Sequence, residues 1–591
     1  MIDLKTRPFY LSDEDVRWVK ETLGGMTTEE KVGQLFCPMG FSGDPNVLNH
    51  IVNELHVGGM MYRTGAKADI WGTYGAIQKM AKIPLLLAAN TEAGGNGLCA
   101  EGTSFGRPMA VAATGDAENA YRMGYVACAE GAAVGLNWSF APIVDIDREF
   151  HNPITNVRTF GSDVERVIEM GKAYIRGAKD AGVATAVKHF PGDGCDERDQ
   201  HIVTSINSLS ASEWDETYGR IYREMIGADT LTVMVGHIAQ PAKVRELNEN
   251  ASKREMLLPA TLSPELLTGV LRGQLGFNGL ISTDATPMIG YLSAMRREDA
   301  LPASIMAGCD MILFNKDMDE DYGFMMSAVR DGRLTSARLD EAVTRILAAK
   351  AALKLHQKQR EGTLIPDERG LDIVGCERHR QWAEQVADQS VTLVKDTQNL
   401  LPISPQKYKR VYLNVIQKSM SPEDPLVAEW KALFEKEGFE VTVRDRSTTI
   451  EMENFMDINM TEKKAELLHE LYRPISEFKA GKDLYVYIAN VDNASNNTTT
   501  RLNWNVVFGL GDDAPWFAEE IPALFISVAN PYHLFDAPMV KTYINSYNSA
   551  PAFNRAVMEK IMGRSEFKGV SPVDPFCGNE YIRWMNEEES R

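Results

Sequence analysis

Between residues 34 and 315 the chain repeats one pattern eight times: a short apolar run, a polar break and, in most repeats, a stretch of helical spacing. The runs cover residues 34–39, 58–62, 84–90, 137–142, 185–190, 231–238, 279–285 and 310–315. A strand buried on both faces needs such an unbroken run, and parallel neighbours need a crossover of about a dozen residues between them. Residues 117–133, 163–181, 212–226 and 263–275 have the apolar spacing of amphipathic helices and are long enough to supply it. Eight such units predict the α/β class and, within it, a (β/α)8 TIM-type barrel. An open doubly wound sheet would also alternate, but no glycine-rich first turn marks the nucleotide site of such a sheet.

At 591 residues the chain exceeds what one core holds, so a second domain is expected. Ahead of the first run, residues 13–23 read as a helix, and Thr27 or Thr28 can cap another that begins at Glu29. Helical stretches at 319–330 and 336–355 close the barrel, and the polar, proline-containing stretch that follows reads as a linker. The expected division is a catalytic barrel over 1–356, a linker over 357–378 and a smaller α/β sandwich domain over 379–591. In that domain helices are expected at 379–390, 425–437 and 463–472, a strand and turn at 391–402, and strands at 411–416, 440–443, 484–489 and 523–528. Residues 490–513, rich in Asn and Thr, read as a long exposed loop. A second reading has this loop reach over an active-site mouth, with Arg501 and Trp504 as contacts.

Charge narrows the choice of partner. Lys and Arg number 62 against 82 Asp and Glu, a net charge of −20, which favours solubility and argues against nucleic acid. No run of about 18 apolar residues suggests a membrane span, and the N-terminus lacks the apolar core of a signal peptide, so a cytoplasmic location is expected. The seven cysteines are scattered without a CxxC pair, so they read as reduced and structural. No metal or other cofactor is implied, because the Asp and His residues lack ligand spacing. Homo-oligomer formation is left open.

The stretch from Ala186 to His201 carries the strongest chemical signal. An apolar strand ends in Lys188-His189-Phe190, breaks at Pro191-Gly192, and runs through Asp193-Gly194 to Asp199-Gln200-His201. Side chains at the end of a barrel strand face the site, and a carboxylate two residues from an imidazole can hold it and favour its charged form. Read alone, either half is an ordinary turn with a polar surface loop. The whole string resembles the signature of the bacterial β-N-acetylglucosaminidases of glycoside hydrolase family 3: Lys-His-Phe/Ile-Pro-Gly-His/Asp-Gly, four variable residues, then Asp-Ser/Thr-His. Only Gln200 departs from it.

The resemblance extends along the chain and implies roles. Ile281-Ser-Thr-Asp284 resembles the family's nucleophile strand, which implies Asp284 as the carboxylate that attacks the anomeric carbon. The loop histidine of the resembled subgroup implies His201 as the acid that protonates the leaving oxygen, with Asp199 orienting it. An imidazole titrates near ~6.5, so a paired histidine can serve as an acid near neutral pH. The segment from Asn152 to Asp163 resembles the family's Arg-Ser-Phe-Gly-Ser-Asp and implies Arg158 as a sugar contact. Lys188 and His189 match two further sugar-contacting positions. His237 and Asp145 read as supporting polar groups, His237 among the substrate-binding candidates.

The third strand departs from the family. Members usually end it in Val-Asp-x-Glu-Gly-Gly-Arg-Val, whereas here Asn90 stands for the aspartate and Asn96 for the arginine. A neutral amide at Asn90 can still bond the outer hydroxyls, but charge-assisted bonds are roughly twice as strong. In the second domain, residues 391–401 and Asn530-Pro-Tyr532 resemble the opening and a turn of the family's C-terminal domain.

The leading expectation is a glycoside hydrolase: a retaining, exo-acting β-N-acetylglucosaminidase that takes a small carbohydrate. A β-glucosidase or a glycoside phosphorylase of the same family is the alternative, since phosphorolysis is known in the resembled subgroup. Lys188 at a strand end could also form a Schiff base in a lyase. A non-catalytic sugar-binding protein is the remaining option, against which stand the intact Asp284, Asp199 and His201.

Overall fold

A computed structural model describes residues 2–418, 421, 423–445, 472–492, 495–502, 504 and 513–587. Contacts divide them into two units. The first gathers the chain to Pro108, Asp116–Ala383 and the short segment 495–498, and the second gathers Met109–Gly115 and the rest.

In the first unit the eight apolar runs form strands β1 (Phe36–Cys37), β2 (Met39–Gly40), β3 (Gly59–Tyr62), β4 (Leu86–Ala89), β5 (Trp138–Ser139), β6 (Ala184–Phe190), β8 (Thr232–Val235), β10 (Leu280–Ala285) and β11 (Met311–Leu313). Between them lie β7 (Ser205–Ile206) and β9 (Ile238–Ala239), which pair only with each other among the described residues. The first run gives two strands because Pro38 has no N–H to donate. Its halves face opposite neighbours: Phe36 lies opposite Ile312 of β11, and Met39 opposite Met61 of β3. All rungs are parallel, so the ring closes as a (β/α)8 barrel. The strand interiors are buried throughout, as a packed barrel core requires.

Helices form where the apolar spacing predicts them. Ser12 and Thr27 each cap a helix with a reciprocal capping box, to Asp15 and Glu30. Ala117–Ala133 and Val164–Asp180 pack closely because each offers a glycine: a Cβ on Gly124 would lie 2.3 Å from Tyr174 O, and one on Gly177 2.2 Å from Tyr121 O. The stretch expected as one helix over 212–226 is broken at Thr217 (φ −112°, ψ −93°), giving Ala211–Glu216 and Tyr218–Gly227. There the Thr217 hydroxyl donates to Glu213 O, the competition with backbone bonding expected of a β-branched hydroxyl residue. Residues 357–361, expected within a linker, continue a helix, Leu355–Glu361. Gln357 donates to Asp15 and Gln359 to Ala81 O, so polar side chains fasten it to the barrel unit.

The second unit is a six-stranded sheet in the order β12-β17-β16-β15-β13-β14, with β12 (Thr392–Asp396), β13 (Arg410–Ile416), β14 (Glu440–Val443), β15 (Leu484–Ala489), β16 (Ala523–Ser527) and β17 (Thr542–Asn545). Only the β12–β17 pair is antiparallel. Tyr485, Tyr487, Phe525 and Tyr543 share one buried cluster, and the alternating Leu484, Val486, Ile488, Leu524 and Ile526 are buried as well, so both faces are covered. β17 escapes a sequence reading because its four residues, Thr-Tyr-Ile-Asn, run straight into polar Ser546. The helix expected at 463–472 lies almost wholly outside the described residues. Among those described, no helix is long and apolar enough to cross a membrane.

Candidate active site

The site is built from the carboxyl ends of the barrel strands. At the end of β6, His189 is aimed by Asp145, a buried carboxylate just beyond β5. Asp145 Oδ1 accepts from the His189 and Asp193 amides, at 3.1 and 2.8 Å, and Oδ2 lies 2.6 Å from His189 Nδ1. The imidazole therefore turns Nε2 toward Asp284, whose Oδ2 lies 3.9 Å away. One residue earlier, Lys188 Nζ donates to Glu92 Oε1 at 2.6 Å and lies 3.4 Å from Asn90 Oδ1. Arg158, on a short 3-10 turn, adds two donors to the same carboxylate, at 3.1 and 2.9 Å. Burial opposes the charge on Glu92, but the two cations outweigh it and hold its carboxyl well below the usual range.

Asp284 stands near the end of β10, its Oδ1 accepting from the Ala285 amide at 2.7 Å. Burial again opposes ionisation, and the neighbouring imidazoles, His189 first, with the Ala285 N–H offset it, so the carboxyl is held low. His237 is fully buried after β8. Its Nε2 donates to Ala285 O at 2.9 Å and Nδ1 lies 3.0 Å from the Thr261 hydroxyl, so both ring nitrogens are committed to the protein. Burial pushes its imidazole down to about 4, which keeps it neutral. It supports the residue after Asp284.

The loop after β6 turns on Gly194 (φ +98°), where a Cβ would fall 1.9 Å from Ile146 O. Buried Asp193 is pushed up to about 7 by burial and by the charge of Asp145. Asp199 Oδ1 accepts from the His201 amide at 2.8 Å and meets His201 Nδ1 at 2.6 Å. Asp199 Oδ2 accepts from the Asn496 amide at 2.7 Å, within the segment that clusters with the barrel unit. Among the described residues His201 Nε2 has no protein partner, so a partly open imidazole presents that atom outward. Its side chain is 25% exposed, against 0% for Asp199. This arrangement offers an ionised carboxylate, a carboxylate-paired imidazole and a pair of cations, the parts needed to attack a polar substrate and protonate its leaving group.

Residues 27–349 match the glycosyl hydrolase family 3 N terminal domain. Over 578 residues the chain is 41% identical to a beta-N-acetylglucosaminidase/beta-glucosidase of Cellulomonas fimi, covering 98% of this chain and 99% of that protein. The chain belongs to glycosyl hydrolase family 3. A solved family structure, a beta-glucoside phosphorylase named BglX, is 44% identical with a TM-score of 0.89, covering 98% of this chain and 99% of that one. A family 3 beta-N-acetylglucosaminidase from Paenibacillus sp. str. FPU-7 shares the fold at 24% identity, with a TM-score of 0.76 over 94% of this chain.

Within this family 3 chain, the fold brings Asp284, His201, Asp199, Arg158, Lys188, His189, Asn90 and His237 to one end of the barrel, although His237 is spent on the backbone. Lys188 is engaged by Glu92, an arrangement unlike a free amine awaiting a carbonyl. Arg501 and Trp504 are engaged elsewhere: Arg501 Nε donates to Asp536 at 2.9 Å and Trp504 packs on Tyr487, both in the second unit. Sequence reading passed over Glu92, Asp193, Gln200 and Asn496 as contributors. For Glu92 the signal was present, since the third-strand motif contains a glutamate. For Asn496 there was none, because a backbone amide has no residue type.

Proposed function

We propose that this family 3 enzyme removes a terminal β-linked sugar with retention, an N-acetyl-β-glucosaminide foremost. Asp284 attacks the anomeric carbon while protonated His201 gives its Nε2 proton to the leaving oxygen. Neutral His201 then takes a proton from water, which attacks the glycosyl-aspartate and releases Asp284. Asp199 holds the tautomer and balances the imidazolium. Lys188, Arg158 and Asn90 bond sugar hydroxyls, and His189 braces the nucleophile. One observation carries this reading: of the three imidazoles around Asp284, His237 spends both nitrogens on the protein and His189, paired with Asp145, directs Nε2 at Asp284 itself from 3.9 Å, whereas His201 pairs Nδ1 with Asp199 and has no protein contact at Nε2 among the described residues. The name of the Cellulomonas fimi relative includes this sugar beside plain β-glucosides, and the loop signature supports putting the N-acetyl sugar first.

A second reading has phosphate in place of water, favoured by the 44% identity to a beta-glucoside phosphorylase over nearly the full length of both chains. An imidazole that has lost its proton is neutral and does not repel an incoming phosphate, as a carboxylate would.

The test is a fluorosugar with an activated leaving group. Both transition states carry positive charge and only the first is helped by the leaving group, so the glycosyl-enzyme accumulates. Peptide mass spectrometry is expected to place the label on Asp284, and Asp284→Ala to abolish labelling and turnover. A label on another carboxylate, or an inverted product, would overturn the mechanism. Aryl β-glycosides assayed with and without phosphate then decide the acceptor: sugar 1-phosphate seen by phosphorus NMR identifies phosphorolysis. Faster turnover of plain β-glucosides would reject the N-acetyl preference.

A further inference from the structure

Gln200 is the one residue of the loop signature that departs from the family pattern, and it is buried, with 1% of its surface exposed. A glutamine lying between Asp199 and His201 would be expected on the surface of a polar loop. Its amide is instead used at both ends. Nε2 donates to Asp193 Oδ2 at 3.1 Å, and Oε1 accepts from the His237 amide at 2.8 Å. The fit is close: a Cβ on Gly236 would stand 3.0 Å from Gln200 Oε1. The backbone on either side is fastened too, since the Ile289 amide donates to His201 O at 3.0 Å and a Cβ on Gly290 would lie 2.5 Å from Gln200 O. The loop is thus braced within itself at Asp193, tied at His237 to the chain just after β8, and held against the short helix that follows β10. A serine or threonine, which the family carries here, places one oxygen next to Cβ and cannot reach both Asp193 in its own loop and the His237 amide after β8.

We propose that Gln200 is a positioning residue for the acid/base pair: its amide latches the loop to the barrel so that Asp199 and His201 are in place before a glycoside enters. This rests on the reading that His201 protonates the leaving group. Proton transfer demands hydrogen-bond distance, and a misplacement of ~1 Å can lower a rate about 100-fold. Leaving groups of low pKa need no proton, so they are blind to such a shift. The latch therefore acts on one class of substrate.

The experiment compares wild type, Gln200→Met, Gln200→Thr and His201→Ala in pre-steady-state glycosylation, with a dinitrophenyl and an alkyl β-glycoside. Active sites are counted with the fluorosugar. Gln200→Met keeps the volume and removes both bonds. It is expected to slow the alkyl glycoside by about 10-fold to 100-fold per counted site and the dinitrophenyl glycoside by less than ~3-fold. Gln200→Thr should follow it, and serves if the methionine variant does not fold. Equal losses on both substrates, or none on either, would overturn the latch. If His201→Ala itself shows no dependence on the leaving group, the acid assignment fails, and that outcome is distinct from failure of the latch.

Discussion

Lys188 and Arg158 share a single carboxylate, Glu92, at hydrogen-bond distance. The aspartate that family members place at position 90 would be a second one; here Asn90 Oδ1 stands 3.4 Å from the lysine as a neutral acceptor. Beside these two cations the chain therefore carries one carboxylate where the family pattern has two, and Asn96 likewise stands for a charged residue, the arginine. Hydrogen bonds to a charged group contribute about 1.5–3 kcal/mol against about 0.5–1.5 kcal/mol for neutral pairs, a gap near 1 kcal/mol. Asn90→Asp is therefore expected to lower KM for an aryl N-acetyl-β-glucosaminide about 5-fold with little change in kcat. An unchanged or higher KM in steady-state assays would remove position 90 from the sugar contacts. Asp284 and His201 can be proposed from the sequence because each stands in a short linear string. Glu92 stands in a recognisable third-strand motif, but its bonds to Lys188 and Arg158, and those of Gln200 to Asp193 and the His237 amide, are made only by the fold, so no local pattern announces those contacts.

At the scale of elements, the strands were legible because a parallel strand buried on both faces leaves an unbroken apolar run, and all eight runs became strands. What stayed hidden left no run or spacing to read: the break at Thr217, made by its hydroxyl bonding Glu213 O, and β17, which is too short and polar to stand out. The segment 495–498 is of the same kind. Asn496 has φ +68°, and its N–H holds the outer oxygen of Asp199. Glycine adopts that conformation freely, whereas proline is fixed near −65° and has no N–H. Asn496→Gly is expected to act within about 2-fold of wild type, and Asn496→Pro to lose about 10-fold on poor leaving groups, an effect of the size assigned to outer partners of a reacting group. A proline variant with wild-type rates on an alkyl glycoside would show that the contact does not matter.

Across the whole molecule, each unit carries a buried histidine, His237 in the first and His533 in the second, with its imidazole pushed down to about 4 by burial. Unfolded, these rings bind a proton below ~6.5. Between pH 6.5 and about 4 these two rings bind more protons unfolded, so their contribution is full above that window and falls as pH drops through it, while Asp193, pushed up to about 7, binds its proton in the folded chain and offsets part of the fall. Each ring can account for up to about 3 kcal/mol at the low end. Carboxylates held low, Asp284 and Asp310 among them, act in the same direction but only below ~3.8. Urea midpoints measured at pH 7, 6, 5 and 4.5 are expected to fall steadily, and His533→Phe to make the fall shallower. A flat profile from pH 7 to 5 would contradict this.

The split first run has a consequence for how the chain is born. Phe36 must pair with Ile312, roughly 275 residues later. At a synthesis rate of ~5–20 residues per second, the ring stays open on the ribosome for roughly 15 s to nearly a minute. Throughout that interval β1 has a bare edge, the feature by which sheets recruit the wrong neighbour. The hazard thus falls in translation, when nascent copies on one messenger are crowded together, and it ends when β11 emerges and takes the seat beside β1.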